Sequence, residues 1–255
     1  MRSMTGRMRS GTLGPCMIWL GLMSLFGILG GASASLAAEP AEATCAPGLG
    51  KSAAEMIQTR YEGIRDIGAD FTQENQSATF GGEPLLNTEP KSGKVSFAKP
   101  GKMHWSYLAP EKSVVVSDGA TLWIYDVAGK SVTRLEVTAG FLSGAALQFL
   151  LGDGKILETF EVTATACTDA QVTLDLLPKE AATYERLGLI ADRSSGDILG
   201  TSVLDLFGNL TTIRFSDLRV NQDPAASVFE LEIPEGVELI DYASDVVGSA
   251  GGDQN

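Results

Sequence analysis

The chain has one histidine, His104, and three cysteines among its 255 residues. A single imidazole cannot build a multi-histidine zinc cluster. A Ser–His–Asp triad would have to use His104, yet no G-x-S-x-G elbow accompanies it. Its neighbours Lys102 and Ser106 read as the solvated side of a strand. Neither phosphate-cradling glycine motif, G-x-G-x-x-G or G-x-x-x-x-G-K-[ST], occurs. Acidic pairs such as Asp66 and Asp70, or Asp217 and Asp223, read as surface charge rather than as hydrolytic carboxylates. The expectation is a protein that is not an enzyme and uses no cofactor or metal. Positive charge is also scarce, with 19 Lys and Arg against 32 Asp and Glu for a net charge of −13. Such a chain repels phosphate backbones, which excludes nucleic acid. It is equally unsuited to stable docking on an anionic membrane surface.

The arginines that do occur early have a purpose. Arg2, Arg7 and Arg9 precede an apolar stretch centred on Met17–Leu29, and small residues follow at Ala32-Ser33-Ala34-Ser35-Leu36-Ala37. This is the pattern of a secretory signal peptide cleaved near Ala37, so residues 1–37 are read as signal and residues 38–50 as a flexible segment. Residues 51–240 then form one domain and residues 241–255 a disordered tail. Cys16 leaves with the signal and Cys45 and Cys167 remain. An even pair in an exported chain predicts a disulfide, closing a loop of more than about a hundred residues and contributing about 4–5 kcal/mol in the chain-entropy picture.

Ser52–Asp66 reads as an amphipathic helix, with Ser52 as cap, Glu55 as its capping-box partner, and Gly68 as the stop. From Lys94 to Arg134 the pattern changes to strands: Lys94–Ala98, Lys102–Leu108, Lys112–Ser117, Thr121–Asp126 and a fifth run from Val132. Lys99-Pro100-Gly101, Ala109-Pro110-Glu111 and Asp118-Gly119-Ala120 separate them with turn chemistry. Connections this short require antiparallel neighbours. Alternation puts Met103, Trp105 and Tyr107 on one side of their strand, and Trp123 and Tyr125 share a side of theirs. A face made of all five reads either as ordinary core or as the wall of an apolar cavity.

Thr138–Gly154 (TAGFLSGAALQFLLGDG) is helical by propensity and apolar around most of its circumference. It reads as a buried core helix or as a lid, with Phe141, Leu142, Leu147 and Phe149 plugging an apolar cavity and flanking glycines giving a hinge. Strand-like runs resume at Leu157–Ala166, Gln171–Leu177, Arg186–Asp192, Ile198–Leu206, Asn209–Val220 and Ser227–Ile233. The expected fold is mainly β. It is an unclosed (half) antiparallel β-barrel of about ten or eleven strands, with an N-terminal helix and an apolar mid-chain lid helix.

Three stretches then resemble a known family. Ala69-Asp70-Phe71-Thr72-Gln73, the run from Phe97-Ala98-Lys99-Pro100-Gly101 to His104-Trp105, and Val115-Val116-Ser117-Asp118-Gly119-Ala120-Thr121-Leu122-Trp123-Ile124-Tyr125-Asp126 are similar to the outer-membrane lipoprotein carriers, LolA. Asp205-Leu206-Phe207-Gly208-Asn209 and Phe229–Val237 add to the likeness, which spans about Ser52 to Val237. The resemblance implies a monomeric periplasmic carrier. It would take acylated lipoproteins from an inner-membrane lipoprotein-releasing ABC transporter and pass them to an outer-membrane acceptor, shielding their acyl chains on the way. It further implies that Met103 and Trp105 are cavity residues. Lys99 falls where the family commonly has an arginine that locks the lid, and lysine lacks the planar fork of donors. A carrier of another lipid, or a sensor module of the same fold, are the competing expectations.

Overall fold

The computed structural model describes residues 45–80, 83–84, 89–137 and 155–242. A helix, α1 (Leu49–Glu62), leads into β1 (Asp66–Gln76) and a small hairpin, β2 (Thr79–Phe80) and β3 (Glu83–Pro84). The meander follows as β4 (Lys91–Ala98), β5 (Lys102–Ala109), β6 (Ser113–Ser117), β7 (Thr121–Asp126) and β8 (Ser131–Glu136). After a short helix, α2 (Ile156–Thr159), come β9 (Phe160–Cys167), β10 (Gln171–Pro178), β11 (Tyr184–Asp192), β12 (Ile198–Asp205) and β13 (Leu210–Val220). A 3-10 turn (Ala226–Phe229) and β14 (Glu238–Asp241) end the described chain.

Twelve strands form one sheet in the order β14-β8-β7-β6-β5-β4-β1-β13-β12-β11-β10-β9. The sheet is unclosed, with β14 and β9 as its edges, and every pairing is antiparallel except β14 on β8. One face carries the core, a row of inward residues running from Phe160 and Leu174 through Leu189, Ile213 and Phe71 to Trp105. Helix α1 buries Ala53, Ala54, Ile57 and Tyr61 and packs on β9, β10 and α2. Its first turn lies so close to β9 that a Cβ on Gly50 would come 2.9 Å from Ala164 N.

Several boundaries differ from expectation, each for a local reason. Helix α1 begins at Leu49 rather than at Ser52, with Gly48 in a left-handed conformation (φ 84°) ahead of it and no side-chain cap. The Cys45–Cys167 disulfide anchors this start to the end of β9, with Cα atoms 5.7 Å apart. Residues 45–50 are therefore held against the sheet. The helix ends at Glu62, and Asp66 belongs to β1. Asp66 is not surface charge: it is 4% exposed, and its carboxylate accepts hydrogen bonds from Gln222 N (2.7 Å) and Asp223 N (3.2 Å). Those bonds turn the chain after β13, with Asn221 and Asp223 at positive φ.

The following segment crosses the back of the sheet. The run Ser227–Ile233, expected as a strand, starts in the 3-10 turn, which packs on β5, and the late strand lies further on, at Glu238–Asp241. The first three residues of β9's expected run, Leu157, Glu158 and Thr159, likewise belong to α2. His104 Nδ1 carries its proton here and donates to Val228 O at 2.6 Å, since a carbonyl only accepts.

Two predictions follow from the ends of the sheet. Replacing Cys45 and Cys167 together by serine is expected to lower unfolding free energy by about 2–5 kcal/mol, read from denaturant melts. An unchanged midpoint would contradict the tie between α1 and β9. In the β11–β12 turn, the hydroxyl of Ser194 and the N–H groups of Ser195 and Ser194 hold the Asp192 carboxyl at about 2. Its folded value is depressed, so this contribution is present above the ordinary carboxylate range and is lost as pH falls toward 2. Carbon-detected NMR titration checks it: Ser194→Ala should raise the Asp192 midpoint, and an ordinary midpoint in the parent protein would contradict the turn.

Candidate apolar binding face

The site begins with the alternation of β5. Met103 and Trp105 are buried, Tyr107 is half-buried, and all three share one side of the strand. Register extends that side across the meander. Val95, Trp105, Val115, Ile124 and Thr133 stand opposite one another in successive strands. Phe97, Met103, Ser117, Leu122 and Leu135 form the next row. Trp105 lies at the centre of an aromatic cluster. Its ring meets Phe71 edge-on at 4.8 Å and Phe97 at 5.5 Å, and Tyr107 stacks at 6.3 Å.

Phe71 is on β1 and Tyr107 on β5, with β4 between them, yet their ring centroids are 5.1 Å apart. Both pair in register with Gly93. A Cβ at that position would run into Ser106 O and come 2.9 Å from the Phe71 ring. Gly93 is the gap through which two aromatic rings touch across an intervening strand. The sequence reading did not single out Phe71, Phe97 or Gly93. The alternation of Ala69, Phe71 and Gln73 was the available signal for the first.

The expectation that Trp123 and Tyr125 complete this face is overturned by register. Trp123 pairs with Val116, which pairs with His104, and Tyr125 pairs with Val114, which pairs with Ser106. Both rings therefore lie on the back of the sheet, on the same side as His104. The half-buried Val115, Ile124 and Leu135 take their place on the inner face.

Lys99, expected at the lid, donates from Nζ to Tyr61 O at 2.8 Å and reaches Glu62 O at 3.5 Å. An ammonium there complements the negative end of α1. Arg60 and Asp197, 2.8 Å apart, and Ile198 N donating to Tyr61 Oη at 3.0 Å fix the same helix end to the start of β12. The expected lid residues Phe141, Leu142, Leu147 and Phe149 lie outside the described residues. The residues flanking that stretch are described: Val137 follows β8, beside one edge of the sheet, and Lys155 precedes α2 and β9, the other edge. The chain between them therefore connects the two sides of the open sheet.

Residues 62–232 match the family model described as outer membrane lipoprotein carrier protein LolA. The chain belongs to the LolA family. Among curated LolA relatives, the outer-membrane lipoprotein carrier protein of Chromohalobacter salexigens is 32% identical over 188 residues, 73% of this chain and 86% of that one. The protein of the same name from Cupriavidus pinatubonensis is 29% identical over 190 residues, 74% and 87% of the two chains. A solved LolA superfamily structure from Nitrosomonas europaea covers 71% of this chain and 97% of its own, at 10% identity and a TM-score of 0.39. The LolA match takes in α1's last residue, the whole meander, the Gly93 gap and the strands through β13.

Proposed function

We propose that this LolA-family protein is a periplasmic carrier. It takes acylated lipoproteins released from the inner membrane by an ABC transporter, holds their acyl chains on the inner face of β1 and β4–β8, and yields them to an outer-membrane acceptor. The observation that carries the reading is the Phe71–Phe97–Trp105–Tyr107 cluster, with Met103 beside it and partly buried Val115, Ile124 and Leu135 continuing the face. Each exposed methylene costs about 0.8 kcal/mol in water, so an acyl chain needs such a surface to cross an aqueous compartment. The export signal and the disulfide support a periplasmic location. The reading assigns no chemical step to His104, the one imidazole, which faces the back of the sheet and is bonded to Val228 O.

Residues 138–154 serve as the lid in this reading, because they run from β8, next to one edge of the sheet, to α2 and the edge strand β9, and are mostly apolar in sequence. A lid that competes with the ligand lowers net affinity and so permits release. Truncating Phe141, Leu142, Leu147 and Phe149 to alanine is therefore expected to lengthen ligand retention, and unchanged retention in a folded variant would remove the lid from the account. Native mass spectrometry of the protein recovered from the periplasm tests the carrier role. A one-to-one complex with a co-expressed lipoprotein, lost when acylation is blocked, is the expected result. A small lipid bound regardless of lipoprotein would replace lipoprotein carriage with carriage of another lipid.

A further inference from the structure

The inner face is not apolar along its whole length. Toward the β12–β13 hairpin end, the inward positions of β13, β1 and β5 change to Thr211, Asn75, Gln73 and Tyr107. These four form one hydrogen-bonded row. Thr211 Oγ1 donates to Asn75 Oδ1 at 3.1 Å, Gln73 Nε2 donates to the same oxygen at 3.1 Å, and the Tyr107 hydroxyl donates to Gln73 Oε1 at 3.1 Å. Lys91, in register with Gln73, is exposed, and its Nζ stands 5.8 Å from the centre of the Tyr107 ring. Among the described residues, no carboxylate lies in ion-pair range of Lys91.

The direction of these bonds decides what the row offers. Both amide oxygens are already acceptors within it. The N–H groups left over are the Asn75 amide NH2 and the second N–H of Gln73, joined at the margin by the Lys91 ammonium; against these donors stand the lone pairs kept by the Thr211 and Tyr107 hydroxyl oxygens and the second one of Gln73 Oε1. Burial pushes the Tyr107 phenol up from its ordinary range, so it stays a neutral donor to Gln73. Beyond the row, β5 continues inward through Trp105 to Met103, about 13 Å of apolar surface at strand rise.

We propose that the Thr211–Asn75–Gln73–Tyr107 row, with Lys91 at its margin, is a head-group subsite of the inner face. It donates hydrogen bonds to the ester and amide carbonyl oxygens that end acyl chains, so the chains bind in one direction, heads at the row and tails toward Phe97 and Met103. The inference rests on the carrier reading and adds an orientation to it. The same carbonyl chemistry occurs in a lipoprotein anchor and in a free glycerophospholipid.

The test loads the full exported chain with a synthetic diacylated lipopeptide bearing a photoreactive group, either on the peptide beside the acylated residue or at the chain ends. The head probe is expected to label Gln73, Asn75, Lys91 or Tyr107, and the tail probe Phe97, Met103 or Trp105. A head probe that labels the Lys99 end, or both ends alike, overturns the orientation and leaves the carrier reading standing. Failure to retain the lipopeptide at all overturns both. Asn75→Asp and Gln73→Glu keep side-chain size and remove donors. Together they are expected to weaken lipopeptide retention about tenfold while leaving a carbonyl-free alkyl probe bound as in the parent. Equal weakening of both probes, or of neither, overturns the subsite. Monomeric phosphatidylglycerol offered as competitor separates the two sources: displacement of the lipopeptide shows that the subsite also serves phospholipid, and lack of displacement that it serves the lipoprotein anchor, each consistent with donors aimed at carbonyls.

Discussion

Gly93→Val is expected to destabilise the protein by about 4 kcal/mol or more, enough to remove most of a domain's margin. Ordinary overpacking of a core costs about 1–3 kcal/mol because neighbouring side chains shift aside. Here the first atom to collide is not a side chain. A Cβ on Gly93 falls on the carbonyl oxygen of Ser106, part of the β4–β5 ladder, and on the Phe71 ring at 2.9 Å. Relief requires opening the ladder or displacing Phe71 from both Trp105 and Tyr107. Even Gly93→Ala should cost more than a typical strand glycine substitution. Chemical denaturation measures it, and a neutral Gly93→Ala would contradict the ring contact across β4.

Trp105→Ala is expected to cost about 3–5 kcal/mol, as for large aromatic truncations in a core. The side chain is 6% exposed and has three aromatic neighbours. Edge-on and offset pairs of this kind contribute about 0.5–1.5 kcal/mol each beyond the area they bury. Trp123→Ala provides the contrast. That ring is only half-buried, on the opposite side of the sheet, so the loss should be clearly smaller and acyl-chain retention unaffected. Equal losses in stability and in retention for the two tryptophans would contradict the assignment of faces.

The contrast between the two tryptophans also shows where the sequence stopped being legible. Turn chemistry located the meander well: β7 spans the expected Thr121–Asp126, and β5 differs from expectation by one residue. Alternation within each strand was equally reliable. What alternation does not carry is the relation between strands, because that depends on whether a hairpin loop holds an odd or an even number of residues. Asp118-Gly119-Ala120 reads as a three-residue turn, which would have placed Trp123 beside Val115 and Trp105. Instead Asp118 Oδ1 accepts from both Ala120 N and Thr121 N, and Ser117 pairs with Leu122. One additional residue in the turn moves every side chain of β7 to the other face.

Long-range partners were hidden for a related reason. Asp66 looked like surface charge because its hydrogen-bond donors, the N–H groups of Gln222 and Asp223, are distant in sequence. Gly93, a glycine just ahead of the run that begins at Lys94, gives no sign in sequence of the rings on either side. The parallel pairing of β14 with β8 follows from the strap after β13 crossing the back of the sheet, a path no local pattern encodes. Family-specific motifs conveyed the architecture; the register that decides which residues line the inner face came only with the structure.

The most direct test of the account uses two neighbouring residues on opposite faces. A photoreactive phenylalanine analogue is placed at Ile124 or at Trp123 and irradiated in cells making an acylated lipoprotein. The account predicts a lipoprotein adduct from position 124, lost when acylation is blocked, and none from position 123. An adduct from position 123 with none from 124 would place the acyl chains on the back of the sheet and contradict the inner face as the carrier surface.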